Sequence, residues 1–139
     1  MLLFYANTLG DITMIINGLK LPDKVDVLGT EYKIFYETKE DNPKMEGNKG
    51  YCETCAKEIH LDTSWFGVPR KDDEYPNMIL KDLWKEGIKV IRHELIHAFI
   101  IESGLDECCE WANNEEMIDW VARQFPKMAK CFVKSGIDI

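Results

Sequence analysis

Residues 77–104 read NMILKDLWKEGIKVIRHELIHAFIIESG, and the fold turns on whether this stretch is a helix. Leu80, Leu83, Trp84, Ile88, Ile91, Leu95 and Phe99 recur every three or four positions, the spacing of one helical face. Lys81, Asp82, Lys85, Glu86, Lys89 and Arg92 fill the opposite side, so the first half is amphipathic. From Leu95 to Ile101 the run is apolar nearly all round, as in a helix entering a core. Gly104 supplies the stop, because glycine accepts the left-handed conformation that closes helices. The pattern predicts one long helix over 77–103.

A second helix is expected downstream. Asn113 is a good cap for it, and Glu116 three residues later completes a capping-box pattern. Ile118, Val121, Ala122 and Phe125 form its apolar stripe, with Glu116, Trp120, Arg123 and Lys127 on the wetter side.

Strands are expected upstream. Ile12–Leu21 reads as a first strand, and Val25–Leu28 and Tyr32–Glu37 as two more around a tight Gly29-Thr30 turn. Residues 38–50 are polar and glycine-containing, as in a loop. Tyr51–Thr54 and Ala56–Asp62 form a hairpin-like pair, with Ile59 and Leu61 alternating against Glu58, His60 and Asp62. Ser64–Tyr75 reads as a further loop. Strands first and two helices last predict an α+β fold, helices covering one face of a small, mostly antiparallel sheet.

At 139 residues the chain is expected to be a single domain, 1–139, with 1–13 a poorly ordered extension. A 45% hydrophobic share with 11% aromatics marks it as globular. The net charge of −8 argues against nucleic acid, which asks for a basic face. No apolar run reaches the roughly 18 residues that a membrane span needs, so no membrane role is expected. The five cysteines are an odd number and no secretion signal is visible, which points to a cytoplasmic protein with reduced thiols. Cys52 and Cys55 make a single knuckle, and the adjacent Cys108 and Cys109 do not make a second, so a structural cysteine–zinc site is not expected.

The chemistry lies in His-Glu-Leu-Ile-His, residues 93–97. Four residues apart on a helix, His93 and His97 project from one face one turn apart and can grip one zinc ion. Two histidines and a glutamate on a helix turning apolar would be costly to bury without such a partner. Glu94 lies beside that face, where a carboxylate can take a proton from an activated water. Catalytic zinc commonly takes a third protein ligand. No histidine follows at a suitable spacing, so the ligand is sought among the carboxylates of the second helix. Glu115 lies on the stripe of Ile118 and is the first choice, with Glu116 the fallback. Asp119 shares a face with Glu115 and is expected to accept a ligand histidine N–H.

His93-Glu-Leu-Ile-His97, Glu102-Ser-Gly-Leu105 and Asn114-Glu-Glu-Met-Ile-Asp119 together resemble the gluzincin class of metallopeptidases. More narrowly, the chain is similar over 78–128 to small phage and prophage metallopeptidases related to the ImmA/IrrE family. The resemblance implies zinc on His93, His97 and Glu115, with Glu94 as general base and Asp119 supporting the first histidine. It also implies that Ala56–Asp62 forms the upper edge of the cleft, where an extended peptide could pair with the strand. Trp65, Phe66 and Tyr75 are candidate pocket walls. His60, Tyr51 and Tyr75 are candidate donors to a developing oxyanion, although His60 reads more simply as an exposed strand residue. The expected function is a one-zinc peptidase acting on peptide or protein substrates, in a phage or mobile-element setting. The alternative is a zinc-bearing interaction module with the same fold and little catalysis.

Overall fold

The structure, a computed structural model, describes residues 18–66 and 83–138, together with the backbone of 2–6 and 12–16. It is an α+β protein, with two sheets and three α-helices among the described residues. Strands β1 (Leu2–Ala6), β2 (Ile12–Ile16) and β3 (Leu19–Pro22) form an antiparallel sheet in that order. This departs from two expectations. Leu2–Ala6 is a paired strand rather than part of an extension, and Ile12–Leu21 is two strands. Gly18, at φ 81°, marks the turn between β2 and β3.

The second sheet holds β4 (Lys24–Val27), β5 (Thr30–Glu37), β6 (Gly50–Glu53) and β7 (Glu58–Asp62) in the order β4-β5-β7-β6. The β4–β5 and β6–β7 pairs are antiparallel, but β5 and β7 run parallel, so the sheet is mixed. β6 therefore lies at the edge and β7 inside, which moves the open edge away from Ala56–Asp62. The β4–β5 turn is built on Leu28 and Gly29, at φ 53° and 89°, one residue earlier than expected. Both residues sit in the left-handed region that a primed hairpin turn demands.

Alternation along β5 and β7 sets the core. Tyr32, Ile34, Tyr36, Ile59 and Leu61 point to one face and pack against Val90, Ile91 and Ala98 of α1 (Leu83–Glu102). Gly104, at φ 74°, follows α1 where the sequence placed its stop; the predicted start at 77–82 lies outside the described residues. The inward face of α1 differs from the predicted stripe. It runs through Gly87, Val90, Ile91, Glu94 and Ala98, while Trp84 and Phe99 are exposed. At about 100° per residue this is a rotation of roughly 60°, a sixth of a turn. Gly87 is one cause: a Cβ there would stand 2.6 Å from the Phe66 ring, so only glycine lets the helix approach.

A short α2 (Leu105–Cys108) and a 3-10 turn (Glu110–Asn113) lead to α3 (Glu115–Ser135). The cap of α3 is Asn114, not Asn113: its side chain accepts the Met117 N–H at 2.8 Å. Ile100, Ala112 and Ile118 form a small second core between α1 and α3. Pro126 lies inside α3 and cannot donate to the carbonyl of Ala122 four residues back. Arg92 of α1 takes that place, its Nε donating to the Ala122 oxygen at 2.7 Å. No helix among the described residues is long and apolar enough to cross a membrane.

Candidate metal centre

The rotation of α1 decides what its histidines meet. Glu94 turns toward the sheet and Lys89 and Arg92 toward α3, which leaves His93 and His97 over the groove between them. The N-terminal turn of α3 brings Glu115 to the same groove. His93 Nε2 lies 3.0 Å from Glu115 Oε2, His97 Nε2 lies 3.3 Å from Glu115 Oε1, and the two Nε2 atoms are 3.3 Å apart.

These four atoms, two imidazole nitrogens and both Glu115 oxygens, repel at this range unless a proton or a cation lies among them. A tetrahedral zinc with bonds near 2.0–2.1 Å holds its ligand atoms about 3.3–3.4 Å apart, close to the 3.3 Å between the two Nε2 atoms. Among the described residues, His93, His97 and Glu115 are the one group of three such side chains converging in this way. Two neutral imidazoles and one carboxylate suit zinc in chemical type as well. Burial holds the His97 imidazole below its ordinary pKa, against the pull of Glu115, so it favours the neutral form that ligates.

The group lines an open cleft of about 420 Å³ between the edge strand β6 and α1. Gly50 and Cys52 form its strand wall and Glu94 its floor. Glu94 is 6% exposed, and burial, reinforced by the nearby Glu115 charge, pushes its carboxyl up to about 7. Lys89 opposes that shift. A carboxylate with such a pKa can accept and release protons near neutral pH. Cys52 shares the strand wall, and burial pushes its thiol up to about 12, so it stands there as a neutral group.

Not every expected residue is brought to the cleft in its expected role. Glu116 is exposed and outside the cluster. Asp119 Oδ1 is 3.5 Å from His93 Nδ1, longer than an ordinary hydrogen bond. Its closer contacts are Lys89 Nζ at 2.9 Å and Arg123 Nε at 2.8 Å. Arg123 and Lys89 hold its carboxyl well below the usual carboxylate range. Lys89, placed by the sequence on the wet side of α1, is in fact buried between Glu86 and Asp119.

His60 is a correction too. It is buried, not exposed, and sandwiched between the rings of Phe35 and Tyr51 at centroid distances of 5.0 and 4.6 Å. Its Nδ1 lies 2.8 Å from Glu37 and its Nε2 3.3 Å from Glu58. Because Ile59 and Leu61 face α1, His60 sits on the opposite face of the sheet and cannot serve the cleft. Tyr51 borders the cleft, but its ring stacks on that outer side and its hydroxyl accepts from Asn42 at 2.8 Å. Tyr75 lies outside the described residues. Phe66 belongs to the core and Trp65 packs beside it under Lys49, so neither is a pocket wall. The sequence reading missed Gly50, Cys52 and Lys89; only Gly50 left a trace, as a glycine next to a strand.

Comparison with protein-family models, with curated proteins and with solved structures gives no match.

Proposed function

We propose that this chain is a zinc-dependent peptidase holding one zinc ion on His93, His97 and Glu115. The observation that carries the reading is the convergence of those three side chains beside a buried carboxylate, Glu94, on the floor of an open cleft. Bound there, zinc would supply Lewis-acid activation of a water and of a substrate carbonyl. Glu94 takes the proton from the attacking water and returns it to the leaving amine. A site that only braced the fold would have no use for a buried base in its cleft, which favours catalysis over a purely structural zinc.

An extended peptide suits the cleft because β6 is an unpaired edge among the described residues. The Asp62 N–H donates to the Lys49 carbonyl at 3.1 Å. That bond fixes the phase of the antiparallel pair, so Gly50 and Cys52 direct their N–H and C=O groups away from β7. Both residues line the cleft, and a substrate strand could take up those groups as main-chain partners. The likeness to gluzincins of the ImmA/IrrE kind rests on the motif residues and is part of this proposal.

Elemental mass spectrometry of wild type, Glu115→Ala and Glu94→Gln, together with cleavage of an unstructured protein such as casein, tests the reading. About one zinc per chain is expected in wild type and in Glu94→Gln, and much less in Glu115→Ala, with cleavage by wild type alone. No zinc in wild type after reconstitution would reject the metal site. Zinc with undiminished cleavage by Glu94→Gln would remove Glu94 from the mechanism.

A further inference from the structure

The second half of α3 stands away from the rest of the described protein. Ile118 and Ala122 are buried, but from Phe125 to Ser135 every residue except Ala129 is exposed. The helical pattern does not stop where the packing stops. Phe125, Met128, Ala129, Phe132 and Val133 continue the stripe begun by Ile118, Val121 and Ala122. The helix closes with Gly136 at φ 66°, its N–H bonded to Val133, and the Ile137 N–H bonded back to Phe132 at 3.1 Å. That arrangement returns Ile137 to the apolar end.

Three turns of helix with an unsupported apolar side are marginal in water, because most helical stability in proteins comes from packing of that side. A partner is therefore wanted, and charge placement says of what kind. Arg123, Lys127, Lys130 and Lys134 fall within about 60° of one another, and the stripe is centred on the opposite side, at roughly 100° per residue. A partner covering the stripe does not meet these cations. They offer nothing to an acidic groove lying against the apolar side; cations on the polar face can attract an anionic membrane, but the net charge of −8 opposes a surface of that kind. Two copies of the same helix, however, can join stripe to stripe with all cations pointing outward and no like-charge contact.

The area agrees. Phe125, Met128, Phe132, Val133 and Ile137 are 56%, 38%, 41%, 61% and 63% exposed. With roughly 150–220 Å² for a fully exposed residue of these kinds, the stripe offers about 450 Å² of apolar surface per copy. A standard interface takes about 800 Å² per partner, and homodimers are about 65% apolar, which asks for about 520 Å². The stripe comes near that figure and corresponds to a modest dimer.

We propose that the 125–137 segment of α3 is a self-association surface, pairing antiparallel with its copy about a two-fold axis. An isologous contact of this kind closes on itself and leads to a dimer, not a fibre. Glu115 lies ten residues before Phe125, about 15 Å along the helix, so pairing leaves each metal cleft open. The proposal does not depend on the metal centre.

Sedimentation velocity from about 1 to 300 µM tests it on the full chain, with wild type, a Phe125→Glu/Phe132→Glu double variant and a Lys127→Glu/Lys134→Glu control. A concentration-dependent dimer is expected for wild type. The Phe pair should raise its dissociation constant on the order of 100-fold, as loss of two central anchors does, and the Lys pair should leave it within about threefold. Circular dichroism checks that each variant is folded. Should the Phe pair not fold, Val133→Glu and Ile137→Glu, at the exposed end, carry the same test. A wild type monomeric at every concentration, a dimer that survives the Phe substitutions, or a dimer lost equally with the Lys control would overturn the proposal. Binding of monomeric wild type to phosphatidylglycerol vesicles would overturn it in favour of a membrane surface.

Discussion

The contact between Arg92 and Ala122 makes a sharp test of how the two long helices are joined. Pro126 has no N–H, so the Ala122 carbonyl, in a residue with no exposed surface, has lost its helical donor. An unsatisfied buried carbonyl costs about 1–3 kcal/mol, and a hydrogen bond to a charged donor contributes about 1.5–3 kcal/mol. Arg92→Met keeps most of the side chain's apolar stem and removes the donor. It should therefore destabilise the protein by about 2 kcal/mol. Pro126→Ala supplies a new N–H to the same carbonyl. In that background Arg92→Met should cost only about 0.5 kcal/mol, since the orphaned acceptor is gone. The expected coupling is then about 1.5 kcal/mol, or roughly 3–6 °C in Tm for a chain of this size. The assay is urea unfolding of wild type, both single variants and the double variant, read as midpoints at a common m value. Additivity within about 0.4 kcal/mol would refute the reasoning, because it would mean that Arg92 and the missing N–H do not serve the same acceptor.

Three other perturbations follow from the packing and the charges. Gly87→Ala gains about 1 kcal/mol of helix propensity but sets a Cβ 2.6 Å from the Phe66 ring. The clash should win by about 1–2 kcal/mol net, and a rise in thermal midpoint would contradict it. Leu28 is 61% exposed with φ 53°, so Leu28→Asn should stabilise by about 0.5–1 kcal/mol by relieving the left-handed strain; a loss in the same denaturation assay would show that Leu28 packs usefully. Glu102 accepts from Tyr32 at 2.8 Å and Thr30 at 3.0 Å and pairs with Lys57. These contacts, Lys57 first, hold its carboxyl below its ordinary value of 4.5. A depressed carboxylate stabilises above the unfolded pKa and ceases to as pH falls through the folded one. The stability gap between wild type and Glu102→Gln should thus be constant above about pH 5.5 and close below about 4.5; a gap unchanged at pH 3 would refute the assignment.

How far the sequence discloses this fold depends on the range of the signal. The existence of α1, α3 and β5, the stop at Gly104 and the alternation of β7 are local patterns, and all are found. The facing of α1 is not local. It is set by Gly87 against Phe66 and by Lys89 reaching Asp119 at 2.9 Å, thirty positions away. His60 follows the same logic. Period two placed it correctly on the outer face of β7 with Glu58, yet burial there depends on Phe35 and Tyr51 from its two neighbouring strands. Strand order was hidden for a related reason. Adjacent strands in sequence tend to pair, but β6 passes β5's flank to the edge and leaves that place to β7.

The candidate site was more legible than the fold because helical geometry alone supplies two of its three donors. Choosing Glu115 over Glu116 needed only the apolar stripe of α3, one position being about 100° from the next. What the sequence did not give is the start of that helix. With Asn114 as cap, Glu115 is the first helical residue, and its carboxylate reaches past the end of the helix to both histidines. A cap at Asn113 would begin α3 a residue earlier and draw Glu115 back into the first turn. The dipole of α3 favours a carboxylate at this position. The same dipole makes it a poorer electron donor than an isolated carboxylate. A zinc held here would then keep more of its own charge, the condition under which a nearby base such as Glu94 has the least work to do.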